Sequence, residues 1–349
     1  MLSALRLLNF RCYPALRWEI PPEGAILLGD NAQGKTSLME AMCLALTLHS
    51  PRATRMEPLV SHGCSGFGVS LDTDLSTRRM SWESRKLSLH VDGLPCRDYS
   101  VYLADAPPVV WLSNGDISLV SGGAEERRKY LDFLGSQWHP HYRASLQAYR
   151  KALKARNMLL RNPRRSKEAL HSYAMVMAQH GEILIHLRSQ LLQLLQPHIT
   201  QLHTQISGKA EQVDMAYAPA TTGELLCAID AATEADEKSG CTTVGPHRDD
   251  FQLLISGVSA ATFASEGQQR TLSTALLLAQ SGLLREETGA PPVLFIDDIF
   301  GELDPSRRQA LLNALPEDGQ TFITTTHLTW LNDTAIPLPV QKIRAGRIQ

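Results

Sequence analysis

Residues 29–36 place glycines, a lysine and a hydroxyl group at a spacing that suits phosphate binding. They read Gly-Asp-Asn-Ala-Gln-Gly-Lys-Thr, which fits the pattern G-x-x-x-x-G-K-[ST]. The apolar run 25–28 precedes them as an expected strand, and the strongly helical segment 36–48 follows. Glycines let backbone N–H groups surround phosphates, and the N-terminus of a helix adds partial positive charge. The pattern therefore predicts a nucleotide-binding loop.

Individual side chains of this loop have predicted roles. Lys35 is expected to reach the β- and γ-phosphates, and the Thr36 hydroxyl is expected to bind Mg²⁺. The predicted nucleotide-binding residues of this segment are Gly29, Asn31, Gly34, Lys35, Thr36 and Ser37.

Two acids follow a second apolar run, Val293 to Ile296. Asp297 is expected to hold Mg²⁺, directly or through water, and Asp298 is expected to polarise the attacking water as a general base. Two acids after a strand are also common at helix N-caps. The Leu303-Asp304 pair that follows favours the catalytic interpretation.

A second phosphate-binding surface is predicted where Ser265, Gly267 and Gln268 open a helix. Two helix N-termini of one chain cannot easily approach one γ-phosphate from opposite sides. Two copies arranged head to tail can do so, with Ser265 of one facing Lys35 of the other, as in ABC-type ATPases. The alternative for Ser265 is an ordinary N-cap. The similar segment 120–123, Val-Ser-Gly-Gly, is interpreted as a loop and N-cap.

His327 follows the last expected buried strand and the run Thr324-Thr325-Thr326. A switch histidine that senses the γ-phosphate occupies this place in many ABC-type heads, whereas a lone histidine at a strand end can also be structural. The predicted catalytic residues are therefore Lys35, Asp298 and His327.

Basic residues concentrate in residues 127–167, where twelve of the 34 lysines and arginines meet one acid, Asp132. At 100° per residue, four of them lie within about 20° of one line on the helix expected at 143–161. This ridge is the predicted DNA-binding surface, and the alternative is a solvated face. Its members are Arg143, Arg150, Lys154 and Arg161.

The order of the expected elements indicates an α/β protein. Strands and turns fill the first hundred residues, long helices follow at 124–138, 143–161 and 168–196, and strand–helix alternation returns after about residue 240. Pro163 and Pro197 are expected to break the helices. The prediction is an ATPase head formed by residues 1–112 and 241–349, and a helical lobe at 113–240 with a short antiparallel hairpin.

Composition limits the classes of function. The chain has 349 residues, 43% of them hydrophobic, and a formal net charge of −2. No run of 18 apolar residues predicts a membrane span. The six cysteines are scattered without a Cys-x-x-Cys pair, which argues against disulfides or a zinc site and favours a cytoplasmic location.

Longer segments show that the chain resembles the RecF family, an SMC-like group of ABC ATPases. The resemblance runs nearly end to end, and 262 residues separate Lys35 from Asp297, as expected for a head with an insertion. Ser113-Asn114-Gly115-Asp116 and Glu266 depart from the usual family residues, and His247 and Arg248 are interpreted as part of a structural turn. The matching segments are LRLLNFRCY (5–13), GDNAQGKTSLMEA (29–41), RRKYLDFL (127–134), YRKALKARNMLL (149–160), GPHRDDF (245–251), EGQQRTLSTAL (266–276) and FIDDIFGELDPSRR (295–308).

The resemblance implies a function in DNA replication, recombinational repair and the SOS response to DNA damage. It implies that the nucleotide is ATP, that an ATP-bound homodimer clamps double-stranded or gapped DNA, and that RecR and RecO are partners in loading recombinase. It also implies a weak, DNA-stimulated ATPase that releases the clamp. Two alternatives remain: an ATPase subunit that energises a membrane transporter, and a small-molecule phosphotransferase. The basic lobe counts against the first, and the long motif spacing and Ser265 count against the second.

Overall fold

The computed structural model describes residues 1–301, 303–316, 318–331 and 337–349. The strands are β1 (Leu2–Phe10), β2 (Tyr13–Glu19), β3 (Gly24–Leu28), β4 (Gly66–Thr73), β5 (Thr77–Glu83), β6 (Lys86–Val91), β7 (Leu94–Cys96), β8 (Val109–Ser113), β9 (Val213–Ala218), β10 (Asp250–Ile255), β11 (Val258–Ser259), β12 (Val293–Asp297), β13 (Thr321–Thr325), β14 (Val340–Arg344) and β15 (Arg347–Ile348). The helices are α1 (Lys35–Thr47), α2 (Tyr99–Leu103), α3 (Ser118–Ser121), α4 (Ala124–Trp138), α5 (Pro140–Leu160), α6 (Lys167–Ser207), α7 (Leu225–Ala231), α8 (Thr233–Ser239), α9 (Ala260–Phe263), α10 (Glu266–Thr288) and α11 (Pro305–Asn313).

The chain divides into two compact units. The first contains Met1–Gly115 and Leu284–Gln349, and the second contains Asp116–Leu283. Both ends of the chain thus belong to one unit, as expected for a split head. The predicted head also included residues 241–283, which lie in the second unit. The functional domain boundaries stay a prediction.

A six-stranded sheet in the first unit has the order β15-β14-β3-β13-β12-β8. Five of its strands, β14, β3, β13, β12 and β8, are parallel. The strands β3, β12 and β13 are almost entirely buried, with Ile26, Ile296 and Ile323 in register and fully buried. Such continuous burial is typical of strands covered on both faces. Because these strands are parallel, their carboxyl ends lie at one edge of the sheet. That edge brings together the loop after β3, Asp297 at the end of β12 and Thr324 in β13.

A second sheet in this unit is antiparallel, with the order β2-β1-β4-β5-β6-β7. Its buried positions alternate with half-buried ones, as in β4, where Phe67, Val69 and Leu71 are buried. Helix α1 contacts strands of both sheets and is buried along almost its whole length. The helix that follows the phosphate loop is therefore held firmly by packing.

The second unit contains the long helices and a small sheet of order β11-β10-β9. Helices α5 and α6 pack along each other and α4 lies against both, in agreement with the expected hairpin. Leu146, Tyr149 and Leu160 of α5 are buried, and so are Met177 and Leu184 of the α6 heptad. This unit has its own core.

Helix α6 corrects the prediction of a break at Pro197. The helix runs through this proline to Ser207, whereas Pro163 does lie between two helices, as expected. Ile199, His203 and Ile206 continue the buried face beyond the proline. Packing of that face outweighs the missing N–H group, and the Gln193 carbonyl oxygen that loses this helical donor belongs to an exposed residue.

Candidate nucleotide-binding site

The loop after β3 has the conformation that its glycines predict. Gly34 has φ 108°, and a Cβ atom at this position would lie 2.7 Å from both Cys12 Sγ and the Tyr13 hydroxyl oxygen. The Tyr13 hydroxyl donates a hydrogen bond to the Gly34 carbonyl oxygen over 3.0 Å. Only glycine fits this turn, which leads directly into α1.

Lys35 folds back on the loop that carries it. Its Nζ atom donates to the carbonyl oxygens of Gly29 at 2.6 Å and Asp30 at 2.9 Å. Burial lowers the pKa of the Lys35 ammonium group, although the nearby Asp298 and Asp297 carboxylates act in the opposite direction. Two neutral carbonyl oxygens are weaker partners for an ammonium group than phosphate oxygens, so a bound phosphate can attract this side chain.

Thr36 and Asp297 meet, although 261 positions separate them. The Thr36 hydroxyl donates to Asp297 Oδ1 over 2.7 Å, and the Thr324 hydroxyl donates to the same oxygen over 2.8 Å. These are hard oxygen donors of the kind that Mg²⁺ prefers, and Mg²⁺ usually adds water and substrate phosphate oxygens to one or two protein ligands. The pair therefore fits the metal-binding role predicted for it.

Asp298 lies beside this pair, with its side chain exposed. Its backbone N–H donates to the Thr324 hydroxyl oxygen over 3.0 Å, and its backbone oxygen accepts from the Asn114 amide over 2.7 Å. Its φ of 53° is left-handed, which is uncommon for a residue other than glycine. Backbone contacts therefore fix the carboxylate at the edge of the cavity.

A cavity of about 470 Å³ opens above the loop. The lining includes two arginines, Arg11 and Arg52, which the sequence analysis did not assign to the site. Arg11 lies within LRLLNFRCY, but its distance from the loop in the sequence gives no sign that the two meet. Most of the lining comes from the loop and its surroundings, including Asn31, Gln33, Gly34, Lys35, Thr36, Ser37, Thr324 and Asp298.

The hairpin of β14 and β15 supports the loop from below. Ala345 N–H donates to Gln33 Oε1 over 2.6 Å, and Gly346 N–H donates to the Gln33 backbone oxygen over 3.2 Å. A Cβ atom on Gly29 would lie only 2.3 Å from the Ile343 carbonyl oxygen. The far end of the sequence thus fixes the middle of the loop.

His327 lies just after β13 and is exposed. Its Nδ1 atom is 2.9 Å from the Thr329 hydroxyl oxygen, and its backbone oxygen accepts from the Thr325 hydroxyl. Its switch role stays a prediction.

The predicted second phosphate-binding surface is a hydrogen-bonded helix start in the second unit. Ser265 N–H and its hydroxyl both donate to Gln268 Oε1, and Gln268 N–H donates back to the Ser265 hydroxyl oxygen. This is a capping box, so the N-cap interpretation of Ser265 is correct locally. Ser265 is also exposed, which leaves it open to a second molecule.

The predicted basic ridge is only partly a free surface. Arg143 departs from it, since its half-buried guanidinium donates to the Ser136 carbonyl oxygen over 2.7 Å. Arg150 is exposed but pairs with Asp132 at 2.8 Å, and Arg161 donates weakly to the Gly240 carbonyl oxygen. Lys154 is exposed, with no hydrogen bond or ion pair to the part of the chain that the structure describes.

Comparison with known proteins places these features in a family. The DNA replication and repair protein RecF of Synechococcus sp. (strain JA-3-3Ab) is 36% identical over 96% of this chain and 95% of its own length. RecF of Acaryochloris marina is 34% identical over 100% and 99%. The chain belongs to the RecF family. Protein-family models give no match.

Solved structures agree with this membership. RecF-ATPrS, described as a recombination mediator of the RecFOR pathway, matches with a TM-score of 0.89 at 28% identity over 100% of this chain and 97% of that one. RecF-ATP gives a TM-score of 0.88. An SMC head matches at 0.57 with 14% identity, a likeness of fold alone. The chain therefore has the fold of an ABC-type ATPase. No helix in its described part is long and apolar enough to cross a membrane.

Glu266, which departs from the family pattern beside Ser265, forms an ion pair within its own helix. Its carboxylate pairs with Arg270 one turn along the helix at 3.2 Å, and its side chain is 77% exposed. The negative charge is therefore partly compensated, and it need not repel a phosphate near the serine. Another residue of the family segments, Glu302, lies outside the described residues.

The RecF segment GPHRDDF is structural, as expected. His247 Nδ1 lies 2.6 Å from the Tyr149 hydroxyl, and its Nε2 lies 3.0 Å from the Thr242 carbonyl oxygen. Asp249 is fully buried and accepts from Tyr217, Ala220 and Arg188. This segment joins α5, α6 and β9 within the second unit, Asp116–Leu283, which is called the helical unit from here on.

Proposed function

We propose that this protein is an ATP-dependent DNA-binding protein of recombinational repair and replication restart. The main support for this proposal is that Lys35, Thr36 and Thr324 line one cavity. Asp297 accepts hydrogen bonds from both threonines. The full-length RecF relatives are named for replication and repair, which favours this function over a transporter ATPase. By analogy with the RecFOR pathway, RecR and RecO are its proposed partners in the cytoplasm.

Binding begins when Lys35 exchanges two loop carbonyl oxygens for β- and γ-phosphate oxygens of ATP. Backbone N–H groups of the loop and of the start of α1 surround the same phosphates, with Gly29, Asn31, Gly34 and Ser37 forming the wall. Thr36 and Asp297 would hold Mg²⁺, which neutralises charge on the phosphates when bound. Asp298 orients the attacking water, and His327 contacts the γ-phosphate.

Dimerisation follows from the γ-phosphate. Ser265, Gly267 and Gln268 of a second copy bind this phosphate, so ATP favours the dimer through contacts that ADP lacks. The dimer clamps double-stranded or gapped DNA through exposed basic residues of the helical unit and helps to load recombinase. Hydrolysis, which DNA stimulates, removes the bridging group and releases the DNA. Because Asp298 is shorter than glutamate, we expect turnover below about 10 s⁻¹.

Mixing two inactive variants tests the shared site. Lys35→Ala and Ser265→Ala should each abolish ATP-dependent dimerisation in light scattering and ATP hydrolysis. A mixture contains heterodimers in which one site has both an intact lysine and an intact serine. We expect the mixture to recover part of the activity.

The control for this experiment is Lys86→Ala, which removes an exposed lysine from β6 and should dimerise like the parent chain. No recovery on mixing, together with normal dimers in each single variant, would refute a site shared between two copies.

A further inference from the structure

Glu40 is a charged residue buried within α1, five positions after Lys35. Its side chain has no exposed surface. Arg11 Nε donates to Glu40 Oε2 at 2.9 Å, and Arg11 Nη2 donates to Oε1 at 2.8 Å. The Ser50 hydroxyl donates to Oε1 over 2.6 Å. Three separate segments of the chain therefore converge on one carboxylate.

Arg11 is fixed by more than this pair. Its Nη1 atom donates to the Pro58 carbonyl oxygen over 2.9 Å, and its backbone N–H donates to the Leu59 carbonyl oxygen over 2.8 Å. Its φ of 53° is a conformation that arginine rarely adopts, so surrounding contacts must hold it there. The result is a guanidinium group with one orientation at the wall of the nucleotide cavity.

Glu40 also orders the segment that carries Arg52, the other cavity arginine. Ser50, which donates to Glu40, accepts hydrogen bonds from the backbone N–H groups of Arg52 at 3.1 Å and Ala53 at 2.8 Å. Arg52 Nη1 is 3.9 Å from Glu40 Oε2, and its side chain is 48% exposed. This arginine is loosely paired and can move toward a ligand.

We propose that Glu40 is a positioning residue for nucleotide binding, which keeps the Arg11 and Arg52 guanidinium groups at the cavity without touching the nucleotide. Glu40 is absent from the cavity lining, whereas both arginines belong to it. The inference rests on the proposed binding of ATP in this cavity. This role differs from simple compensation of the arginine charges. If Glu40 only compensated charge, removing it would strengthen the attraction of the cavity for phosphates. If Glu40 positions the arginines, removing it would weaken phosphate binding.

Steady-state ATPase kinetics of Glu40→Gln and Glu40→Asp separate these explanations. Glutamine removes the charge, and aspartate keeps the charge but is too short to maintain both hydrogen bonds to Arg11. Positioning predicts that both variants raise KM for ATP by about tenfold and change kcat by less than about twofold, since uniform binding is lost. Charge compensation predicts a lower KM for the glutamine variant and no change for aspartate.

Glu57→Gln is the matched control, because Glu57 is exposed and adjoins Pro58 of the cavity lining. This variant should leave KM unchanged. If the Glu40 variants do not fold, Arg11→Lys gives the same test, since lysine keeps the charge but cannot form the two-pronged pair. An unchanged or lower KM in these variants, or a loss confined to kcat, would overturn the inference. Absence of ATP binding by the parent chain would instead overturn the proposed function.

Discussion

Thr324 joins the two acids of the candidate site through one hydroxyl group. The hydroxyl donates to Asp297 Oδ1 and accepts from the Asp298 N–H group, and Thr324 is fully buried. This residue holds the carboxylate that is proposed to bind Mg²⁺ and also the backbone of the proposed general base. Its polar contacts therefore matter more than its size.

Replacing Thr324 with valine keeps the shape and removes both contacts. We expect the variant to lose about 1–3 kcal/mol of stability, because the Asp298 N–H group loses its acceptor and Asp297 loses a donor in a partly buried place. We also expect the ATPase rate to fall by about tenfold or more, corresponding to at least about 1.4 kcal/mol of transition-state stabilisation. Thermal unfolding and ATPase assays measure these effects. The control is Thr321→Val at the other end of β13, and equal rates in the two variants would contradict the role of Thr324.

His247 gives the helical unit a dependence on pH. Burial lowers the pKa of its imidazole below the ordinary value of 6.5, and the neighbouring Arg248 and Arg128 act in the same direction, partly offset by the Thr242 carbonyl and Asp249. Because the folded pKa is the lower one, the stabilisation is present above pH 6.5 and is lost as the pH falls below it. We expect the unfolding temperature to fall more between pH 7.5 and 5.5 in the parent chain than in His247→Gln. Equal falls would contradict this assignment.

Site residues could be predicted from the sequence where neighbouring residues form a recognisable motif. The segment 29–36 and the acids after β12 each contain a recognisable pattern, and the structure brings Thr36 and Asp297 together. The cluster of Arg11, Glu40 and Ser50 could not be predicted, because its members share no spacing and meet only through the fold. Arg143 shows the opposite error: helical periodicity places it correctly around the axis but does not reveal that it contacts Ser136.

At the scale of elements, α6 shows how tertiary packing overrides a local signal. Proline at position 197 predicted an end near Gln196, but the apolar face continues and the helix extends by about three turns. Strand β9 was not predicted either. It pairs with β10, and the Gln196 side chain of α6 bonds the backbone of Val213 and Met215.

Pro197→Ala should therefore stabilise the helical unit. Alanine restores an N–H group that can bond the carbonyl oxygen four residues earlier and removes the clash of the ring, which together cost an interior helix about 3 kcal/mol. We expect a gain of about 1–3 kcal/mol in the free energy of unfolding, measured with urea. Pro163→Ala, in the loop before α6, is the control and should give no such gain. A loss of stability at position 197 would show that the proline is needed for the path of the helix.

For the whole molecule, the net charge is slightly negative although the region 127–167 is strongly basic. The chain is slightly acidic, and many basic residues of the region 127–167 form internal contacts, such as Arg156 with the buried Asp236. Lys151 and Lys154 are exposed, and neither has a hydrogen bond or ion pair within the described ranges. These lysines, more than the arginines, are available to bind phosphates.

Replacing Lys151 and Lys154 by alanine should weaken DNA binding and lower the slope of log affinity against log salt by about 1.8, since each phosphate contact contributes about 0.9. Fluorescence anisotropy at several salt concentrations measures the slope. The double variant Lys86→Ala with Lys238→Ala changes the net charge equally at other exposed positions and is the control. The same slope in both double variants would place the DNA elsewhere.

The position of β3 in the parallel sheet has a consequence for the synthesis of the protein. Strand β3 lies between β13 and β14, so its two neighbours emerge from the ribosome only after the intervening helical unit has been made. Until then the nascent chain carries the phosphate loop on a strand with unpaired edges, which other chains can join. The helical unit can acquire its core first, and competence to bind ATP should arrive only after β13 and β14 have been made.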